Sequence, residues 1–150
     1  PLDLVICTAL GCDMYDCVYP TRTARFGVAI VPGPHPGTLR LRSHEFSSQS
    51  TVIQEGCRCQ ACREGISRAR LHMLLKAGNP VAVELLTHHN ICYMMTLVED
   101  MRKAILEDRF GKFATDFVLT QFIGASKGGH DCPQWVSDAL QAAGILTGKL

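Results

Sequence analysis

Cys57-x-Cys59-x-x-Cys62 sets three thiols within six residues, and few folds hold such a cluster without giving it a shared task. On one tight loop the three sulfurs point toward a common centre, one donor short of the tetrahedral set of a structural zinc. His88 and His89, 26 and 27 residues beyond Cys62, are the candidates for the fourth position. Three thiolates favour a soft or borderline ion, so Zn(II) is expected ahead of Mg(II) or Ca(II). With four protein donors no position is left for water, and such a zinc shapes the fold rather than the chemistry. The bland alternative is three reduced cysteines on a surface loop, where clustered thiols without a metal are a hazard. A zinc ribbon would need a second paired-cysteine knuckle, and the other cysteines are not so spaced.

Cys7, Cys12, Cys17, Cys92 and Cys132 stand singly in apolar surroundings, which fits reduced thiols better than a secreted disulfide framework. A chain of 150 residues that is 47% apolar can bury a core without disulfides. The formal net charge of +1 excludes a disordered charged tail and a globally basic nucleic-acid coat. Basic character is instead local. Residues 17–44 carry Arg22, Arg25, Arg40 and Arg42 with no acid, and 57–76 carry Arg58, Arg63, Arg68, Arg70 and Lys76 against Glu64 alone. A phosphate-bearing partner and a solvated helix face both account for these blocks. The apolar run from Leu4 to Cys12 is nine residues, well short of the roughly 18–20 that span a bilayer. No membrane segment is expected. The chain starts at Pro1 without a signal-like segment, and it reads as a piece of a longer polypeptide.

Residues 3–12 read as a short helix of a β/α unit, closed by Gly11 in the left-handed position. A strand is expected over Met14–Tyr19, stopped at Pro20. Phe26–Val31 and Thr38–Arg42 form two β-type runs joined by the proline-rich turn at 32–37, and 43–56 is polar and irregular. Helical spacing begins at Ser67 with Leu71, Leu74 and Leu75 on one face, and resumes after Pro80 as far as Asp108. Phe110, Phe113, Phe117 and Phe122 continue an apolar stripe. A last helix starts at Pro133 with Asp131 as its N-cap, turns Trp135, Val136, Ala139, Leu140 and Ala143 inward, and stops at Gly144.

Asp16 is the most informative acid. A carboxylate in an apolar strand is costly to bury unless it faces a cavity, and strand ends of barrels are where catalytic groups sit. A strand-terminal Asp capping a nearby amide is the commoner arrangement. Cys17, on the opposite face of the strand, would point away from the site.

Met14 to Gly27, Cys57-x-Cys59-x-x-Cys62, Ser67-Arg68-Ala69 and His89-Asn90 together resemble the C-terminal portion of the tRNA-guanine transglycosylases. The ending, Cys132-Pro133-x-Trp135 with Asp138-Ala139-Leu140, is similar to the eukaryotic catalytic subunits of that family. The resemblance implies an α/β fold, the last part of a (β/α)8 barrel with a zinc-binding insertion and C-terminal helices. Its segments would be last strands and hairpin at 1–44, a zinc-binding subdomain at 45–90 and helices at 91–150. It further implies that the N-terminal half is missing and that guanine at the tRNA wobble position is exchanged for queuine or a related 7-deazaguanine. Asp16 corresponds to the nucleophile, Arg22 and Arg25 to residues on the flanking bases with Thr21 beside them, and His89 to the zinc histidine. One structural zinc per chain, a non-catalytic homologous partner subunit and a cytoplasmic location, with peripheral attachment to the mitochondrial outer membrane, follow from the same likeness.

The chemistry suits those residues. Exchange with retention needs two displacements at the anomeric carbon, and a carboxylate can attack and later leave, as in retaining glycosidases. An acid/base group for the departing and entering bases has no suitable motif here. The reading from a different class is a non-catalytic zinc module that binds RNA or pairs with a catalytic chain. Asp16 and the arginines separate the two, since an accessory subunit could lose them and keep its zinc.

Overall fold

The computed structural model describes residues 1–122 and 132–146. They form seven helices and one two-stranded sheet. The elements are α1 (Leu2–Ala9), α2 (Tyr19–Arg25), β1 (Val28–Ile30), β2 (Thr38–Arg40), a 3-10 turn (His44–Phe46), α3 (Gln60–Arg63), α4 (Arg68–Lys76), α5 (Pro80–Leu106), α6 (Phe110–Phe122) and α7 (Gln134–Ala142). The observed class is therefore a mostly helical α/β fold. No helix among the described residues is long and apolar enough to cross a membrane.

The chain divides into two compact units. One takes residues 1–16, 33–36 and the described residues from 97 onward. Its core joins Val5 and Ile6 of α1, Leu97 and Met101 of α5, Ala114 and Val118 of α6, and Val136 and Leu140 of α7. The phenylalanine stripe packs on this core with Phe110, Phe113 and Phe117 stacked in sequence. In the same unit the Gln121 side chain donates to the Gly33 carbonyl at 2.9 Å, and His35 stacks on Phe122.

The other unit takes residues 17–32 and 37–96. β1 and β2 pair antiparallel, with Val28 opposite Arg40 and Ile30 opposite Thr38. Leu41, Ile53, Leu71, Leu75 and Leu86 are almost wholly buried in its core, each burial contributing roughly 1.5–3 kcal/mol. α4 starts where expected: Ser67 Oγ accepts from the Arg70 amide at 3.1 Å, the N-cap bond that a helix start favours. Gly27 closes α2 onto β1 at φ +75, and a Cβ there would stand 2.9 Å from Arg42 Cγ and 3.2 Å from Leu75 Cδ1. Only glycine admits both the backbone sign and that approach.

Three expectations need correction or restriction. Residues 11–18 form no strand but an exposed irregular segment, and α2 begins at Tyr19 with Pro20 in its first turn. Alternation makes a strand only beside a partner ladder, and among the described residues the one sheet is the β1–β2 hairpin. A first-turn proline costs a helix nothing, because the amide it lacks has no intrahelical acceptor there. Trp135 is 48% exposed, whereas Val136, Ser137 and Leu140 form the inward face of α7. Asp131 lies outside the described residues, and Pro133 occupies the N-cap position of α7. Gly11 and Gly144 do take the left-handed backbone expected after α1 and α7.

Candidate metal centre

The segment after Ile53 turns three sulfurs toward one point by means of its own backbone. Cys59 is the N-cap of α3, and its sulfur accepts from the Cys62 amide at 3.4 Å. The Cys57 sulfur accepts from the Cys59 amide at 3.5 Å. Two of the sulfurs thus face a backbone N–H, the kind of outer support that orients metal ligands and stabilises thiolates.

The fourth donor comes from α5. His89 sits within the helix, nine residues past Pro80, and its side chain is fully buried. His88, its neighbour, is exposed. His89 Nδ1 lies 3.6, 3.4 and 3.6 Å from the sulfurs of Cys57, Cys59 and Cys62. Tetrahedral zinc with bonds of about 2.3 Å to sulfur and about 2.0–2.1 Å to nitrogen sets each sulfur about 3.6 Å from the nitrogen. All four donor atoms lie within 4.8 Å of one another. The imidazole is also held from behind: His89 Nε2 donates to the Ile30 carbonyl at 2.9 Å, which leaves Nδ1 as the acceptor facing the sulfurs.

The electrostatics of the bare cluster fit the same group. Burial pushes the Cys57 thiol up to about 11 and raises the Cys59 and Cys62 thiols. Burial also lowers His89, against the opposing hydrogen bond to Ile30. Four closely packed donors are then neutral, and a divalent cation supplies the charge that turns thiols into thiolate ligands. These residues could hold one ion with no position left open.

The other sequence-selected residues stand elsewhere. Arg22 and Arg25 are exposed on α2, three positions apart and so on one side of the helix. Thr21 is exposed beside them, its hydroxyl donating to the Val18 carbonyl at 3.1 Å. Asp16 lies in the exposed 11–18 segment. The structure therefore brings the four metal donors together, sets the two arginines on one helix, and leaves Asp16 on a separate open segment. Two members of the basic blocks have internal work. The Arg68 guanidinium donates to the Val52 and Ile53 carbonyls and to Gln49 Oε1 at 2.9–3.0 Å, and Arg42 donates to the Leu75 carbonyl at 2.8 Å.

Comparison with known proteins places this arrangement. The family model described as queuine tRNA-ribosyltransferase matches residues 1–122. The chain belongs to the queuine tRNA-ribosyltransferase family. Relatives include a Thermus thermophilus protein named queuine tRNA-ribosyltransferase, 41% identical over 144 residues that make up 96% of this chain. The Schizosaccharomyces pombe queuine tRNA-ribosyltransferase catalytic subunit is 38% identical over 149 residues, 95% of this chain. The Caenorhabditis elegans catalytic subunit is 36% identical over 154 residues, covering 96% of this chain and 37% of the relative. The chain spans about a third of these relatives' length, 35% for the bacterial and fission-yeast proteins.

Within this member of the queuine tRNA-ribosyltransferase family, Asn90 is the residue whose part sequence reasoning missed. It is fully buried next to the metal-facing histidine. Its one readable signal was an amide in the middle of an apolar helix, directly after a candidate ligand. His72 was also passed over: it is buried, and its Nδ1–H donates to the Leu41 carbonyl at 2.8 Å.

Proposed function

We propose that these residues are the later part of a (β/α)8-barrel enzyme that exchanges guanine at the tRNA wobble position for queuine or a related 7-deazaguanine. The reading is carried by the family match over 1–122, a stretch that contains Asp16, Thr21, Arg22, Arg25 and the four metal donors together. In the first displacement an Asp16 carboxylate oxygen bonds to the ribose anomeric carbon as the bond to guanine breaks. In the second, a nitrogen of the incoming base bonds to that carbon and the carboxylate leaves, so configuration is retained. Proton transfer to the departing base and from the entering one belongs to a group outside this chain. Cys57, Cys59, Cys62 and His89 would hold one structural zinc, which ties the 54–62 segment to α5 and takes no part in the displacement. Incorporation of labelled guanine into tRNA by the full-length protein, with loss of label on addition of queuine, tests the reaction; tRNA binding with no exchange would make this a non-catalytic RNA module instead.

Arg22 and Arg25, with Thr21 beside them, are assigned to the bases flanking the target nucleotide, which an unstacked anticodon loop can present singly. A base edge is read by the planar, multi-donor guanidinium, whereas phosphate attraction needs only charge. Arg22→Lys and Arg25→Lys are therefore expected to raise KM for cognate tRNA about tenfold and to narrow the gap between cognate and anticodon-altered tRNA. Equal activity of the Arg and Lys forms on both RNAs rejects base reading.

The assembly proposed is a pair with a non-catalytic homologous subunit in the cytoplasm, including its face of the mitochondrial outer membrane. Val81, Ile91 and Met95 support it: they are 48%, 40% and 55% exposed, and at 3.6 residues per turn they fall on one side of α5. Met95→Glu is expected to weaken pairing at least tenfold, as seen by light scattering of differently tagged subunits purified together. A fully active monomer would overturn the pairing, and unchanged association of the Glu variant would move the contact off this face.

A further inference from the structure

The geometry points to Asn90 as a positioning residue that fixes α2, the helix bearing Arg22 and Arg25, to the helix that presents the metal histidine. Asn90 Oδ1 accepts from the Ile30 amide at 2.8 Å. Its Nδ2 donates to the Pro20 carbonyl at 3.0 Å, the Val28 carbonyl at 3.0 Å and Thr23 Oγ1 at 3.2 Å. Two carbonyls can only face the NH2 end, so the orientation of the amide is fixed by its partners. The contacts reach the first turn of α2, its middle and the strand that follows it. His89 grips the same strand from the adjacent helix position, through the Ile30 carbonyl. The pair therefore takes both backbone groups of Ile30, one by the metal-facing ring and one by the amide.

A neutral primary amide is what the place requires. It must accept once and donate more than once, fully buried, where a charge or an unpaired polar atom would be costly. α2 has seven residues, and only Pro20 and Ala24 of them are buried, so few apolar contacts hold it. An isolated helix of that length does not persist in water. Its order as a platform for the two arginines depends on the Asn90 amide.

This inference rests on the proposed role of α2 in RNA contact, and the test separates the two. In the zinc-loaded full-length protein, Asn90→Asp keeps the acceptor for Ile30 but turns a second oxygen toward two carbonyls. Thr23→Val deletes one partner of the amide, and Thr23→Ser restores the hydroxyl. Zinc content is expected to stay at the wild-type value in all three. Amides of residues 20–27 are expected to exchange at least about tenfold faster in Asn90→Asp and about threefold faster in Thr23→Val, with Thr23→Ser protected as in the wild type. KM for tRNA is expected to rise about tenfold in Asn90→Asp, with kcat and KM for the free base within twofold. Loss of zinc, unchanged protection of 20–27, or equal loss in both KM values would each overturn the positioning role. Faster exchange with an unchanged KM for tRNA, accompanied by indifference of KM to Arg22→Ala and Arg25→Ala, supports the positioning of α2 and rejects its contact with RNA.

Discussion

Asp16→Ala in the full-length protein is expected to lower base exchange on the order of 10³-fold or more and to abolish the covalent RNA adduct, with tRNA binding retained. Removing a nucleophile eliminates the bonded intermediate itself, whereas removing a contact only weakens a complex. Asp16→Asn sharpens the test, since it keeps the size and most hydrogen-bonding capacity of the side chain but removes the anionic oxygen. Both variants should therefore fail alike, and both should hold tRNA with the parent's affinity. A tRNA affinity equal to the parent's in both variants excludes a folding artefact as the source of such a loss. Adduct surviving on denaturing gels in Asp16→Ala would move the nucleophile elsewhere, with Cys17 next to be replaced.

How much of this was legible from the residues depended on how far apart the interacting groups lie in the chain. Helices α4 to α7 could be read because their signals are local: the Ser67 cap, the leucines of α4, the phenylalanine stripe and Gly144 all act within a turn or two. The three thiols were readable for the same reason, since the knuckle closes within six residues through its own amides. The supposed strand at 14–19 failed because period-two alternation describes half of a pair, and nothing local reveals whether the other half is there. What Asn90 holds could not be read because its partners lie 60 to 70 residues upstream, at Ile30 and Pro20. Arg68 was counted with the exposed cations because composition gives charge without direction; only the fold shows its guanidinium filled by three acceptors in the 49–53 segment.

Removing the metal is expected to unfold a definite part of the chain rather than the whole. Structural zinc contributes roughly 10–16 kcal/mol of apparent binding energy at pH 7 in small zinc modules, comparable to the total stability of an ordinary domain, about 5–15 kcal/mol. Whether its loss is global depends on what else holds the structure. Leu41, Leu71, Leu75 and Leu86 form a core with no need of an ion. Across 54–66, by contrast, only Cys59 and Ala61 are buried, and the lone helix there has four residues. That segment has little apolar surface to offset its ordering entropy. Chelation, or Cys59→Ser, should therefore remove about one zinc per chain and strip amide protection from 54–66, while α4 and the buried part of α5 keep theirs. The melting temperature should fall by at least about 10 °C, and zinc added back after chelation should restore it while magnesium should not. Unchanged zinc content in Cys59→Ser would remove Cys59 from the donor set. Full protection of 54–66 without metal would show that the backbone alone assembles the cluster, and the thiols would then need another purpose.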